Sequence, residues 1–242
     1  ASERRAAGSR AALRIGDQIR MLVRRLQPKI IVTTYEGHSW ERLAFAAARE
    51  SKQGILCVGY AHAPIFPFQR AMAMRLGPEY DPDVILTAGD VTRDQLRKVD
   101  SLRGIPIETL GSARAAPEPP NPSEREPICL LLPEGLISEC VALIEPAIRV
   151  AHAKPSLQFK IRLHPVLSRE KLLGAFPEFR DLPPNLKWST NPSLEADLAT
   201  ARWALYRGST AIIRAVQCGV RPIYFAMPDE EFCVDPLAGL EK

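Results

Sequence analysis

The sequence predicts two α/β domains, each built on a parallel sheet, and three observations predict it. Short β-branched or apolar runs alternate with stretches of helical periodicity along the chain. The alternation breaks once, at 111-GSARAAPEPPNPSEREP-127, where Pro117, Pro119, Pro120, Pro122 and Pro127 sit among charges with almost no apolar residue. Such a composition cannot build a core and favours extended, semi-rigid chain. The 242 residues are 46% hydrophobic and 25% charged, which suits one or two globular domains and excludes a disordered or collagen-like chain. The expected organisation is therefore a domain at 1–111, a linker at 112–127 and a second domain at 128–242.

Each element has its own reason. Ile15, Ile19, Leu22 and Leu26 follow the apolar stripe of an amphipathic helix, expected to pack on the sheet. The β-branched run 29-KIIVTT-34 predicts a buried strand, Trp40 to Ser51 a helix, and 54-GILCVGY-60 a second strand. The run 84-VILTA-88 predicts a third strand, with Asp90 capping the helix after it, and 105-IPIETLG-111 a weaker fourth. Beyond the linker come a strand at 128-ICLLL-132, a helix from Gly135 to Ala153, and a strand at 157-LQFKIRL-163. A short helix at Arg169 to Leu173, a strand at 186-LKWST-190 and a helix at 193-SLEADLATA-201 follow. The last elements are a strand at 203-WALY-206, a helix from Thr210 to Cys218 and a strand at 222-PIYFA-226. Right-handed crossovers make each such domain Rossmann-like.

Charge and cysteine usage narrow the function. The net charge is only +4, too modest to announce a nucleic-acid partner. Residues 1–29 carry eight basic residues against Glu3 and Asp17, a local charge of +6, which leaves −2 for the rest. No stretch approaches the roughly 18–20 apolar residues of a membrane span, and no secretory signal is recognisable. The five cysteines are odd in number and lack any CxxC or Cys/His ligand spacing, which fits a reducing compartment.

In open parallel sheets ligands bind outside the carboxyl ends of the strands, so the residues there are the candidates. Three of the four histidines, His38, His62 and His164, fall at such ends. His152 does not, and is expected to face solvent or cap a helix. Glu36, His38 and Glu41 beside Tyr35 and Trp40 could supply a general base; alternatively Glu41 pairs with Arg42 or Arg49 and Trp40 is core. A metal on Glu36, His38 and His62 lacks a supporting ligand pattern. Glu134-Gly135 opens a helix and serves either acid–base chemistry or capping. His164-Pro165 could donate an imidazole N–H to phosphate, with Lys160 and Arg162 adding charge, or satisfy a core hydrogen bond. Arg207-Gly208-Ser209-Thr210 joins a strand to a helix start and suits phosphate, unless Ser209 is a plain N-cap; no Walker pattern is present. In 229-DEE-231 a carboxylate, Glu231 above all, could hold ribose hydroxyls or simply be solvated.

Taken together, Glu134-Gly135, His164-Pro165 and Ser209-Thr210, in that order, resemble the motifs of bacterial GT-B glycosyltransferases of surface polysaccharide biosynthesis, the sialyltransferase and Kdo-transferase relatives. The segment 35-YEGHSWERLAF-45 with 59-GYAHAP-64 resembles a group of surface-carbohydrate biosynthesis proteins. The resemblance covers most of the chain from Lys29 onward. It implies two Rossmann-like domains facing across a cleft. The C-terminal domain would hold a nucleotide-sugar donor through His164, Pro165, Arg207, Gly208, Ser209, Thr210 and Glu231. The N-terminal domain would hold an oligosaccharide or lipid-linked glycan acceptor, with His62, Trp40 and Glu41 as contacts. Such enzymes need no metal or cofactor, and the donor is a substrate, CMP-Kdo or CMP-sialic acid in the favoured case. Pro133 stands where the family often has a second acidic residue, which moves the base role from Glu134 toward Glu36, with His38 beside it. The N-terminal half has fewer strands than a full acceptor domain and begins with Ala1, so a fragment with its first strands missing is expected.

The function expected is thus glycosyl transfer in bacterial capsule or lipopolysaccharide assembly, in the cytoplasm or peripherally at the inner membrane. The N-terminal basic helix would face an anionic membrane or lipid-linked acceptor. Two alternatives stand beside it: a nucleotide-sugar epimerase of the same fold, and a non-catalytic sugar- or nucleotide-binding module of a larger assembly protein.

Overall fold

The computed structural model describes residues 7–66, 68–113, 125–238 and 240. The chain forms two compact units, Ala1–Arg114 and Ala115–Lys242. Most of the Pro-rich segment expected as a linker lies outside the described residues.

The first unit runs α1 (Ala7–Leu26), β1 (Ile30–Thr34), α2 (Ser39–Ser51), β2 (Leu56–Ala61), β3 (Val84–Thr87), α3 (Asp90–Arg97) and β4 (Ile107–Thr109). All four strands are parallel, in the order β1-β2-β3-β4. Phe45 and Ala48 of α2 and Leu96 of α3 pack with Cys57 and Ile85 of the strands into one core. Two short 3₁₀ turns, Ala71–Ala73 and Asp100–Leu102, add to the elements expected from the sequence.

Three expectations are corrected here. Of the expected stripe, Ile15 and Ile19 are half-buried, with Ile19 packed against the core, whereas Leu22 and Leu26 are exposed; the fully buried residues of α1 are Ala12, Gly16 and Val23. The helix turns its smallest residues inward because it crosses α2 closely, with Gly16 set against Leu43. The expected buried strand β1 is half open: Ile30 and Val32 are 52% and 60% exposed. It is the edge of the sheet among the described residues, and its outward face has no helix over it. The N-cap of α3 is Gly89, not Asp90. The Asp90 carboxylate instead accepts from the Thr109 hydroxyl at 2.7 Å and from Arg93 at 2.6 Å, bridging the helix to β4.

The long connection between β2 and β3 is held by a buried carboxylate. Asp81 pairs with Arg42 of α2, accepts from Arg75 Nε at 2.7 Å, and accepts from the N–H groups of Leu76 and Gly77 at 3.1 Å. Arg42 also donates to the carbonyls of Ala71 and Met74. Burial pushes the Asp81 carboxyl up, but these hydrogen bonds and the arginines outweigh it and hold it below its ordinary value.

The second unit runs β5 (Ile128–Leu132), α4 (Ile137–Ala153), β6 (Gln158–Ile161), α5 (Arg169–Ala175), β7 (Leu186–Trp188), α6 (Leu194–Leu198), β8 (Trp203–Tyr206), α7 (Ala211–Gln217) and β9 (Arg221–Tyr224). A 3₁₀ turn, Pro177–Arg180, precedes β7. The sheet is parallel, in the order β7-β6-β5-β8-β9. Every residue of the central strand β5 is buried. Alternate residues serve opposite faces: Cys129 and Leu131 join Ile144 and Leu172, while Leu130 and Leu132 join Leu198 and Ile212. Cores on both faces are what a doubly wound parallel sheet requires.

Where the chain enters this unit, Arg125 is buried and donates to the carbonyls of Ala201 at 2.7 Å and of Cys218. It caps the chain after α6 and the end of α7, where carbonyls are unpaired and the dipoles favour a cation. Replacing Arg125 with alanine is expected to cost about 1.5–3 kcal/mol of stability, read as a shift of the urea midpoint.

Candidate functional site

The polar residues expected at the strand ends form two clusters, one in each unit.

In the first unit the turn after β1 is shaped by glycine. Gly37 has φ +84°, and a Cβ there would lie 2.4 Å from the backbone of Ala71. Gly59 on β2 leaves room for the fully buried Tyr35 ring, which a Cβ would approach to 2.8 Å. The turn is then clamped by Glu41, one turn into α2. Its carboxylate accepts from the N–H groups of Glu36 at 3.0 Å and His38 at 2.8 Å, and from the Thr34 hydroxyl at 3.3 Å. Glu41 is wholly buried. It is not the partner of Arg42 or Arg49, which pair with Asp81 and Asp83. Here it fixes the turn through Thr34, Glu36 and His38. The Glu36 carboxylate projects from this clamp, 31% exposed, with His38 Nε2 at 3.3 Å and His62 Nε2 at 3.6 Å. Glu36, His38 and His62 thus come together as expected from the strand ends, with Trp40 half-buried nearby in sequence. Among the described residues no group of three or more His, Cys, Asp or Glu is placed to hold a metal ion. The arrangement can accept a hydroxyl proton on a carboxylate and pass it between imidazoles.

In the second unit the strand order supplies the reason for the site. From β5 the chain winds outward through β6 and β7, then returns to add β8 and β9 on the other side. The reversal point lies between β5 and β8, the place where open parallel sheets in general form a ligand crevice at the strand ends. Glu134 follows β5, Arg207 to Thr210 follow β8, and His164 follows β6 on the other flank.

Two glycines interlock these ends. A Cβ on Gly208 would stand 1.5 Å from Glu134 Oε1, so the carboxyl rests directly on the Gly208 backbone. A Cβ on Gly135 would stand 2.3 Å from Val166 and 3.3 Å from His164 Nδ1. Burial and the nearby Glu139 charge push the Glu134 carboxyl up, against the opposing pull of Arg207 and His164. Pro165 lies in a tight turn closed by the Leu167 N–H on the His164 carbonyl at 2.9 Å. Within it His164 Nδ1 accepts from the Val166 N–H at 3.3 Å, which places the neutral ring's proton on Nε2. His164 is exposed, so that N–H is open to a ligand.

The cations are engaged differently from expectation. Arg207 donates to Glu139 at 2.5 Å and lies 3.4 Å from Glu230, so its charge is already matched. Lys160 and Arg162 both reach the fully buried Asp197, at 3.3 and 2.7 Å, and are not free to add charge beside His164. Thr210, not Ser209, is the N-cap of α7, and its side chain makes no capping bond. Ser209 is buried at the turn and Thr210 is exposed. In the acidic loop Glu231 is exposed, and its neighbour Glu230 is the residue tied in, accepting from the Tyr224 hydroxyl at 2.7 Å and the Val234 N–H at 3.2 Å. Glu139 and Asp197 are not distinguished by the sequence pattern, and within 229-DEE-231 it is Glu230 that is engaged; a charged residue in the first turn of an apolar helix is the one signal for Glu139.

No family model matches the chain, and no curated protein matches it. Solved structures do. The pneumococcal O-GlcNAc transferase GtfA in complex with UDP and GlcNAc aligns over 87% of this chain and 45% of its own, with 15% identity and a TM-score of 0.55. A glycotransferase of kitacinnamycin aligns over 89% and 62%, at 16% identity and 0.58. The UDP-GlcNAc 2-epimerase of Methanocaldococcus jannaschii, in complex with UDP-GlcNAc and UDP, aligns over 90% and 66%, at 14% identity and 0.58. The likeness establishes the fold, two parallel-sheet α/β units of the GT-B kind. The chain spans less than half the length of the first of these structures and less than two thirds of the other two.

Proposed function

We propose that the chain acts on a nucleotide sugar, as a glycosyltransferase or a large part of one. The observation that carries this reading is the meeting of Glu134, His164 and the Arg207–Thr210 turn at the reversal point of the second sheet. That crevice would take the nucleotide sugar. Its phosphate would be held by neutral donors, the His164 Nε2–H and the hydroxyls of Ser209 and Thr210, since the nearby cations are already matched. Neutral donors aimed at the leaving oxygen stabilise the charge that develops as the sugar–phosphate bond breaks. In the first unit Glu36 would take the proton of the acceptor hydroxyl, with His38 and His62 as its relay. The reading supports transfer to a surface glycan, with CMP-Kdo or CMP-sialic acid as donors in the form the sequence motifs favour.

A specific observation favours the second reading, epimerisation. Several solved structures of the same fold are UDP-GlcNAc 2-epimerases. Thermal-shift measurements with CMP, CDP, UDP and GDP separate the donors: selective stabilisation by CMP supports the Kdo or sialic acid form, and a preference for UDP overturns it. Product analysis with donor alone separates the reactions, because an epimerase turns over without acceptor and a transferase does not.

The exposed side of α1 carries Arg10, Arg14, Arg24 and Arg25 around Leu13 and Met21, while Arg20 is held by Asp17 and Glu50. Such a face suits an anionic membrane or lipid-linked acceptor. No helix among the described residues is long and apolar enough to cross a membrane. Co-sedimentation with vesicles is expected to rise with anionic lipid content and to fall in Arg14→Glu/Arg24→Glu; binding indifferent to lipid charge would contradict it.

A further inference from the structure

Arg207 does not do what its place suggests. It precedes Gly208, on whose backbone the Glu134 carboxyl rests, so a free guanidinium there would pair with Glu134. Its Nη1 instead donates to Glu139, in the first turn of α4, at 2.5 Å, and its Nη2 lies 3.4 Å from Glu230. Glu230 is itself fixed by Tyr224, by the N–H of Met227 at 3.3 Å and by that of Val234. The side chains of Arg207 and Glu139 are only 12% and 17% exposed, so water screens the pair little. No ion pair forms between Arg207 and Glu134.

We propose that Glu139 is a positioning residue for this site: by engaging Arg207 it keeps the guanidinium from pairing with Glu134 and leaves that carboxyl free to exchange a proton with a bound ligand. The groups facing Glu134 are Glu139 from α4, Arg207 from the end of β8 and His164 from the end of β6. Neutralising Glu139 has two effects. It removes a like charge near Glu134, and it releases a cation toward it. Both favour the ionised carboxylate, so both move its titration down in pH.

The test is a carbon-13 NMR titration of the glutamate side-chain carboxyls in the full chain, with Glu134→Gln identifying the Glu134 resonance. It needs no ligand, so it stands apart from the nucleotide-sugar reading. Glu139→Gln is expected to lower the Glu134 midpoint by roughly one unit or more. Glu139→Asp, which withdraws the carboxylate but keeps its charge, is expected to lower it less, and serves alone if the first variant does not fold. Glu230→Gln, which faces Arg207 but not Glu134, is expected to leave the midpoint in place. A midpoint unmoved by the Glu139 variants, or moved as far by Glu230→Gln, would overturn the proposal.

Discussion

Replacing Asp197 with alanine is expected to destabilise the second unit by about 2–4 kcal/mol, because it leaves two part-buried cations and two polar side chains without their partner. The carboxylate has no exposed surface and receives Lys160 of β6, Arg162 just after that strand, the Ser189 hydroxyl at 2.6 Å and the Asn191 amide at 2.7 Å. It thereby ties β6 and the chain after β7 to α6. Burial pushes this carboxyl up, and the hydrogen bonds from Ser189, Arg162, Asn191 and Lys160 outweigh that and hold it below its ordinary value. A carboxylate depressed on folding adds stability that is fully present above its unfolded value, near pH 4. That stability is lost as the pH falls through the folded value. Asp81 in the first unit is depressed in the same sense. Chemical denaturation of the wild type is therefore expected to lose midpoint steeply below about pH 4, with Asp197→Ala showing a weaker slope there. An acid limb of unchanged slope would remove Asp197 from its role.

His164→Ala is expected to lower turnover of a nucleotide sugar by roughly 100-fold or more, the effect of removing one donor aimed at a developing negative charge. The fold should survive, since the imidazole is exposed and accepts one weak bond from Val166. His164→Gln, which can again present an N–H, is expected to recover part of the loss. A melting temperature matching wild type together with the lost rate would locate the effect in the site. Full activity in His164→Ala would remove the histidine from the donor site.

Much of the scaffold was legible because parallel strands buried on both faces read as continuous apolar runs. The run 128-ICLLL-132 became β5 with the same bounds, and 203-WALY-206 became β8. The ends of strands told where chemistry would gather, and the pairing of Glu36 with His38 and His62 followed. What stayed hidden was set by contacts distant in sequence. Lys160 and Arg162 looked like free cations because their partner, Asp197, lies more than thirty residues on. Periodicity found only part of the inward side of α1, Ile15 and Ile19, because close packing on α2 also selects the small residues Ala12 and Gly16. Glu41 read as a chemical group because a carboxylate that clamps a turn and one that meets a substrate look alike in sequence.

The proposed function requires first that the ends of β5 and β8 bind a nucleotide sugar through neutral donors. Calorimetric titration of CMP and UDP into the wild type and His164→Ala, at low and high salt, measures this. Expected are saturable binding of one nucleotide, weak dependence on salt because Arg207, Lys160 and Arg162 are already matched, and at least a tenfold loss of affinity in His164→Ala, about 1.4 kcal/mol. Binding equally tight in the variant, or no binding of either nucleotide to the wild type, would contradict it.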